Sequence, residues 1–164
     1  MTRSASSPSA VRSSSAARTA HSVVRHGRVF SHPATGTARV ESASFAFGAM
    51  PVTLPAGDPA PHEATPGELL AVAHAMFMAA AVAEELSLAG SPAKEIVVEA
   101  DCTYAGPVPN RALTQLALHV TGRVRGLDAA SFREAVERAR RRSLRATGAR
   151  DGLRCELQVT LGEV

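Results

Sequence analysis

The strongest constraint on the fold is a long apolar helix that carries its own start signal. Residues 65–68 read Thr-Pro-Gly-Glu, the capping-box pattern with Thr at the N-cap, Pro at the first helical position and Glu at the third. A glycine and a proline shortly after Leu88 predict that the helix ends there. From Leu69 to Ala83 only His74 is polar. Because the helix is apolar all round, we expect the rest of the fold to enclose it.

Period-two alternation on either side of this helix predicts strands. The expected strands are 22–25, 28–31, 37–47, 95–104, 111–124 and 153–161, with a turn at His26-Gly27 and a second helix at about 129–145, capped by Asp128. The order is therefore three strands, the long helix, two strands, a helix and a strand. This order predicts an α+β domain, with mostly antiparallel sheets wrapped around the hydrophobic helix.

Residues 1–20 differ in composition from the rest of the chain. They are rich in Ser, Ala and Arg, contain no acid, and after Met1 have Val11 as their only large apolar residue. Such a segment cannot bury enough apolar surface to offset the entropy of ordering, so we expect a disordered tail before a folded domain at 21–164. A targeting peptide and a partner-binding arm are the alternatives. The tail lacks the continuous apolar region of a secretory signal, and we expect a cytoplasmic protein.

The charge balance and the motifs exclude several classes of function. Three of the 18 basic residues lie in 1–20, which leaves 15 bases against 15 acids. A balanced domain is not one that neutralises nucleic-acid phosphates. Two cysteines are too few for a usual zinc site, and no nucleotide-binding or metalloprotease motif is present, so we expect no metal or cofactor. No apolar run reaches about 18 residues, which predicts no membrane span.

Polar and sulfur-bearing residues at apolar positions are the candidates for chemistry. His74 is either a satisfied core histidine or a pocket-lining general base. Ser143 lies where the second helix expects an apolar residue, and its hydroxyl either bonds a backbone carbonyl of its own helix or serves a site. Met76, Phe77 and Met78 are either core residues or the lining of an adaptable apolar pocket.

Two further groups are more typical of structure than of a site. Cys102 and Cys155 lie on the apolar phase of their strands, where burial raises the pKa of a thiol and makes it inert. The basic cluster 138–145 is interpreted as a solvated helix face near the negative end of the helix dipole, with an anion or acidic-partner site as the alternative.

Residues 65–75, Thr-Pro-Gly-Glu-Leu-Leu-Ala-Val-Ala-His-Ala, resemble the OsmC/Ohr family of osmotically inducible and organic hydroperoxide resistance proteins. Residues 36–42 and 124–132 support the resemblance in order and spacing, and it covers about 22–164. It implies an intertwined homodimer with thiol-peroxidase sites at the interface. There, one cysteine on the long helix attacks the hydroperoxide, a second on the next helix resolves the sulfenic acid, and Arg and Glu assist.

The sequence departs from that pattern at both cysteine positions. Phe77, three residues after the motif histidine, stands at the peroxidatic position, and Ser143 stands at the resolving position. A phenyl ring cannot form a sulfenate, and a serine hydroxyl is not ionised usefully at neutral pH. We therefore predict that thiol-peroxidase activity is absent.

The assisting residues differ as well. Gly67 stands at the glutamate position, with Glu68 next to it, and the arginine position falls near Pro33. A shift of the alignment would place Arg28 or Arg39 there instead. The sequence pattern of the fold is kept, and the changes affect only the functional positions. They therefore indicate a pocket with a different function.

Three hypotheses follow from these departures. The first is a non-redox OsmC-like homodimer that binds an apolar small molecule in a pocket formed by His74, Met76, Phe77, Met78 and Ser143. The second is a non-redox enzyme for proton transfer or cyclisation, with His74 as general base and Glu68 or Ser143 assisting. The third is residual hydroperoxide reductase activity through Cys102 or Cys155. A purely structural or partner-binding role is the remaining alternative.

Overall fold

A computed structural model describes residues 27–32, 37–42, 50–53, 64–107, 110–149 and 152–162. The expected tail at 1–20, the strand at 22–25 and Pro33 lie outside the described residues. Within these ranges the elements are β1 (Gly27–His32), β2 (Thr37–Ser42), β3 (Met50–Thr53), α1 (Pro66–Leu88), β4 (Ala93–Ala105), β5 (Ala112–Val124), α2 (Ala129–Ala146) and β6 (Arg154–Leu161). The predicted α+β class is confirmed, and β3 is a strand that the sequence did not predict.

The strands form two three-stranded sheets. One has the order β1-β2-β3, with both pairs antiparallel. The other has the order β4-β5-β6, in which β4 and β5 are antiparallel and β5 and β6 are parallel. The expected turn at His26-Gly27 is wrong at Gly27, which lies within β1 and pairs with Ser42. The residues around Gly27 are typical of a hairpin turn. Its pairing with Ser42 on β2 places it in a strand instead.

The start of α1 is confirmed atom by atom. The Thr65 side chain accepts a hydrogen bond from the Glu68 backbone N–H at 3.2 Å, and the Glu68 carboxylate accepts from the Thr65 backbone N–H at 2.6 Å. These two bonds satisfy backbone donors that have no partner inside the helix. The helix then runs without interruption to Leu88, as expected.

The core lies between the two helices and the β4-β5-β6 sheet. Since side chains alternate along a strand, one face of β5 is buried from Leu116 to Val124, while the other face carries mostly polar residues there. The buried apolar residues of this core are Met78, Ala81, Val82, Leu86, Leu116, Leu118, Val120, Val124, Phe132, Ala135, Val136 and Ala139.

In the part of the single chain that the structure describes, α1 packs through one side and its opposite side stays exposed, so enclosure of the whole helix is not seen within one chain. The side chains of Val72, Met76 and Phe77 are 55%, 67% and 46% exposed. The physical reason is that β4 and α2 both pack against the side of α1 that carries Met78 and Leu86. By length and composition alone α1 could cross a membrane, but its buried side contributes to the hydrophobic core, as in the core helix of a soluble domain.

Candidate functional site

His74 lies on the buried side of α1, one turn before Met78. Its side chain is 4% exposed, and no hydrogen bond or ion pair reaches it from the part of the chain that the structure describes. Desolvation lowers the pKa of the imidazole from its ordinary value of 6.5. His74 is therefore neutral at neutral pH, the form that a general base needs, although no carboxylate among the described residues orients it.

Ser143 is buried on the inward side of α2. Its hydroxyl donates a long hydrogen bond of 3.4 Å to the backbone carbonyl of Arg140. This confirms the local interpretation, in which the hydroxyl bonds within its own helix. Because the bond is long, it holds the hydroxyl weakly and leaves it able to turn to another acceptor.

The residues expected to line a pocket are divided between two sides of α1. His74 and Met78 lie on the core side, whereas Met76 and Phe77 are exposed on the other side and its flank. A helix turns by about 100° per residue, so positions 74 and 78 share a side that position 76 cannot reach. Within one chain, these residues therefore do not line a common pocket.

Glu68 is exposed and serves the helix cap. Its carboxylate accepts from both the backbone N–H and the hydroxyl of Thr65, at 2.6 and 2.8 Å. These hydrogen bonds lower the pKa of Glu68. The carboxylate is thus ionised and already engaged, which limits its use as an assisting base.

Tyr104 is a neighbour of the helix start that the sequence did not reveal. A β-carbon at Gly67 would lie 3.2 Å from Cε2 of the Tyr104 ring, closer than an ordinary contact. A side chain at position 67 would therefore require the ring to move. The only available signal was that Tyr104 is the single tyrosine and ends a strand that follows α1.

The two cysteines lie in the same row of the β4-β5-β6 sheet but do not meet. Cys102 and Cys155 both pair with Leu116, one from each side. Two strand spacings amount to about 10 Å, which exceeds the Cα separation of a disulfide. Burial and the charge of Asp101 raise the pKa of the Cys102 thiol, which confirms the expected direction and disfavours its thiolate.

Part of the basic cluster on α2 binds α1, which the interpretation as a solvated face did not include. Arg138 donates to the Glu85 carboxylate at 2.9 Å, and Arg142 contacts both Glu85 at 2.9 Å and Glu84 at 2.6 Å. Glu85 is largely buried between the two guanidinium groups, which lower its pKa. The signal in the sequence was the acidic pair 84–85 near the end of α1 together with arginines four residues apart on α2, at positions 138 and 142.

No family model matches this chain, and no curated protein matches it either. Solved structures do match. An organic hydroperoxide resistance protein from Elizabethkingia anophelis, with thiocyanate bound, superposes with a TM-score of 0.69 at 14% identity, covering 87% of this chain and 99% of that one. An OsmC-like protein from Mycoplasma pneumoniae gives a TM-score of 0.69 at 12% identity, with 86% and 99% covered.

This chain has the OsmC/Ohr fold. A third solved structure with this fold is a putative organic hydroperoxide resistance protein from Vibrio cholerae with captopril bound in one of its active sites. It has a TM-score of 0.59 at 17% identity and covers 85% of this chain and 93% of that one. The resemblance seen in the sequence is thus confirmed for the fold. Phe77 and Ser143, the residues that the sequence resemblance assigns to the two cysteine positions, lie on α1 and α2.

Proposed function

We propose that this protein is a non-redox homodimer that binds an apolar small molecule beside α1. The observation that carries the proposal is the outer α1 face, formed by Val72, Met76, Phe77, Ala80 and Ala83, all of them exposed. Contiguous apolar surface of this kind marks a binding surface in soluble proteins. Within this face no charged residue interrupts the apolar side chains.

A second copy of the chain is the occupant that suits most of this face. Ala80 and Ala83 have short side chains, which allow another element to approach closely, while Val72 and Met76 supply apolar area at about 25 cal/mol per Å² buried. A two-fold axis places the same face of two chains against each other, so both apolar surfaces are covered at once.

The small molecule is expected at the flank of that interface, beside Phe77. The ring is about half exposed, and it stands at the position that the sequence resemblance assigns to a peroxidatic cysteine. An aromatic ring and the neighbouring Met76 favour an apolar or aromatic ligand. His74 and Ser143, the polar groups expected in this pocket, are buried on the core side of the two helices, so within one chain they do not border the site beside Phe77.

The same residues argue against hydroperoxide reduction. Neither Phe77 nor Ser143 supplies a thiolate. The raised pKa of Cys102 reduces its thiolate fraction, and Cys155 lies too far across the sheet to resolve a sulfenic acid on Cys102 in place. Residual reductase activity through a Cys102–Cys155 pair therefore has no support in the geometry.

Native mass spectrometry tests both parts of the proposal. The wild type is expected as a dimer that carries a non-covalent adduct, which organic extraction releases as an apolar compound. Met76→Glu should give monomers because it places a charge in the outer α1 face. Val97→Glu is the matched control, since Val97 is another exposed apolar residue but lies on the sheet. A monomeric wild type overturns the dimer, and a dimer free of any adduct overturns the ligand.

A non-redox enzyme that uses His74 is the second candidate, favoured by the neutral state of its imidazole. If this hypothesis holds, the compound released by extraction should be converted by the wild type and not by His74→Gln. Equal conversion by both proteins would remove His74 from the reaction.

A further inference from the structure

Three polar side chains form a connected row on the outer face of the β4-β5-β6 sheet, the face that points away from the helices. Oε2 of Glu99 lies 3.3 Å from Nδ1 of His119, and Nε2 of His119 lies 3.3 Å from the hydroxyl oxygen of Thr160. The row therefore joins a carboxylate, an imidazole and a hydroxyl, one from each of the three strands. It is separate from α1 and from the proposed ligand site.

The register of the sheet holds this row together. Glu99 pairs directly with His119, while Thr160 is the next outward residue after Gln158, the pairing partner of His119. Facing residues have Cβ atoms about 5 Å apart, and diagonal ones remain within reach of a long side chain. His119 can thus contact both neighbours without leaving its strand position.

The carboxylate contacts the imidazole and the imidazole contacts the hydroxyl, which is the arrangement that activates a hydroxyl as a nucleophile. A carboxylate at Nδ1 favours the tautomer that carries its proton there, which leaves Nε2 free to accept the hydroxyl proton of Thr160. The distances are slightly longer than those of a closed catalytic pair, as is common without a bound substrate. Gln158 adds a carboxamide N–H donor on the same face, the type of group that stabilises a developing oxyanion.

The location determines what kind of substrate could react. His119 and Thr160 lie on an exposed sheet face, and Glu99 is mostly exposed. An open surface offers little binding energy, so the acyl donor must supply reactivity through a good leaving group. Small activated esters, such as aryl esters, meet this requirement.

We propose that Thr160 is an acyl acceptor, with His119 as its general base and Glu99 as the residue that orients His119. The Thr160 oxygen bonds to the acyl carbon of an aryl ester while His119 takes the hydroxyl proton. The bond between the acyl carbon and the aryl oxygen then breaks, and His119 returns the proton to the departing aryloxide. The products are an O-acyl threonine and a phenol, with no change of oxidation state.

The experiment uses the full chain with p-nitrophenyl acetate. The wild type should release p-nitrophenol and gain one acetyl group, located at Thr160 by peptide mass spectrometry. Thr160→Val should remove the acetylation and lower the release rate by about tenfold or more, while Thr160→Ser should restore both. Glu99→Gln should slow acetylation without changing its position. Thr121→Val is the matched control, since Thr121 pairs with Thr160 on the same face, and it should leave the rate unchanged.

The result that overturns the proposal is release of p-nitrophenol by Thr160→Val at the wild-type rate together with its loss in His119→Gln. In that case the imidazole alone reacts with the ester. Acetylation found only on Lys94 or at the N-terminus would overturn it as well. Thermal unfolding of each variant shows that a lost signal does not come from a lost fold.

Discussion

Gly122 of β5 lies directly beneath the ring of Phe132 in α2. A β-carbon at position 122 would stand only 2.4 Å from Cζ of that ring and 2.7 Å from Cε2. Both residues are buried, and Phe132 is fully so. The absence of a side chain at Gly122 therefore allows the largest buried side chain of the core to rest on the sheet, which sets how closely α2 approaches β5.

Replacing Gly122 with alanine should destabilise the fold. The added methyl group overlaps the Phe132 ring, and overpacking of this kind costs about 1–3 kcal/mol. Chemical denaturation measures the change in the free energy of unfolding. Gly162→Ala is the control, because a β-carbon there meets only ordinary contacts at 3.5 Å. Equal stability of Gly122→Ala and the wild type would mean that α2 can shift freely, and Phe132→Leu should relieve part of the cost in the double variant.

Acidification below about pH 6.5 should weaken the fold through His74. Burial lowers the pKa of His74 below 6.5, so the unfolded chain binds a proton more readily than the folded one. Stability is then fully present above about pH 6.5 and declines as the pH falls from there toward the folded pKa. Unfolding measured between pH 7 and 5 should show this slope in the wild type and in Met78→Leu, but not in His74→Leu. A slope retained by His74→Leu would contradict the assignment.

Glu85 should contribute stability that depends on its charge. The guanidinium groups of Arg138 and Arg142 lower its pKa, so its contribution is present above the ordinary value of 4.5 and disappears as the pH falls through the lower, folded value. Glu85→Gln should therefore reduce stability at pH 7, and added salt should shrink the difference. Glu84→Gln is the control, since Glu84 is more exposed and, among the described residues, forms its ion pair with Arg142 alone. An effect of Glu84→Gln as large as that of Glu85→Gln would refute the role of Glu85.

Organic hydroperoxide should leave both thiols of the protein intact. Cys102 and Cys155 are free, and the raised pKa of Cys102 disfavours the thiolate that would attack the peroxide. A thiol reagent applied to the unfolded chain after treatment with equimolar cumene hydroperoxide should count two thiols. Stoichiometric loss of thiol, or consumption of peroxide with turnover in the presence of a thiol reductant, would revive the reductase hypothesis and overturn the proposed non-redox function.

Local signals predicted the elements whose formation depends on neighbouring residues. Thr65 and Glu68 cap α1 through bonds that span three residues, so their pattern in the chain suffices to place the helix start. The alternation in 153–161 likewise placed β6, because one side of a sheet must be apolar to pack. The turn expected at Gly27 failed for the opposite reason, since its pairing with Ser42 depends on a distant strand.

The sequence by itself determined which segments become helices and strands and which faces are apolar, because these follow from periodicities and caps within a few residues. Only the tertiary structure decided which side of α1 is covered, that Glu85 lies between Arg138 and Arg142, and that Glu99, His119 and Thr160 form a row. These outcomes depend on sheet register and helix placement. Such contacts join residues up to 57 positions apart, and no short-range pattern in the chain encodes them.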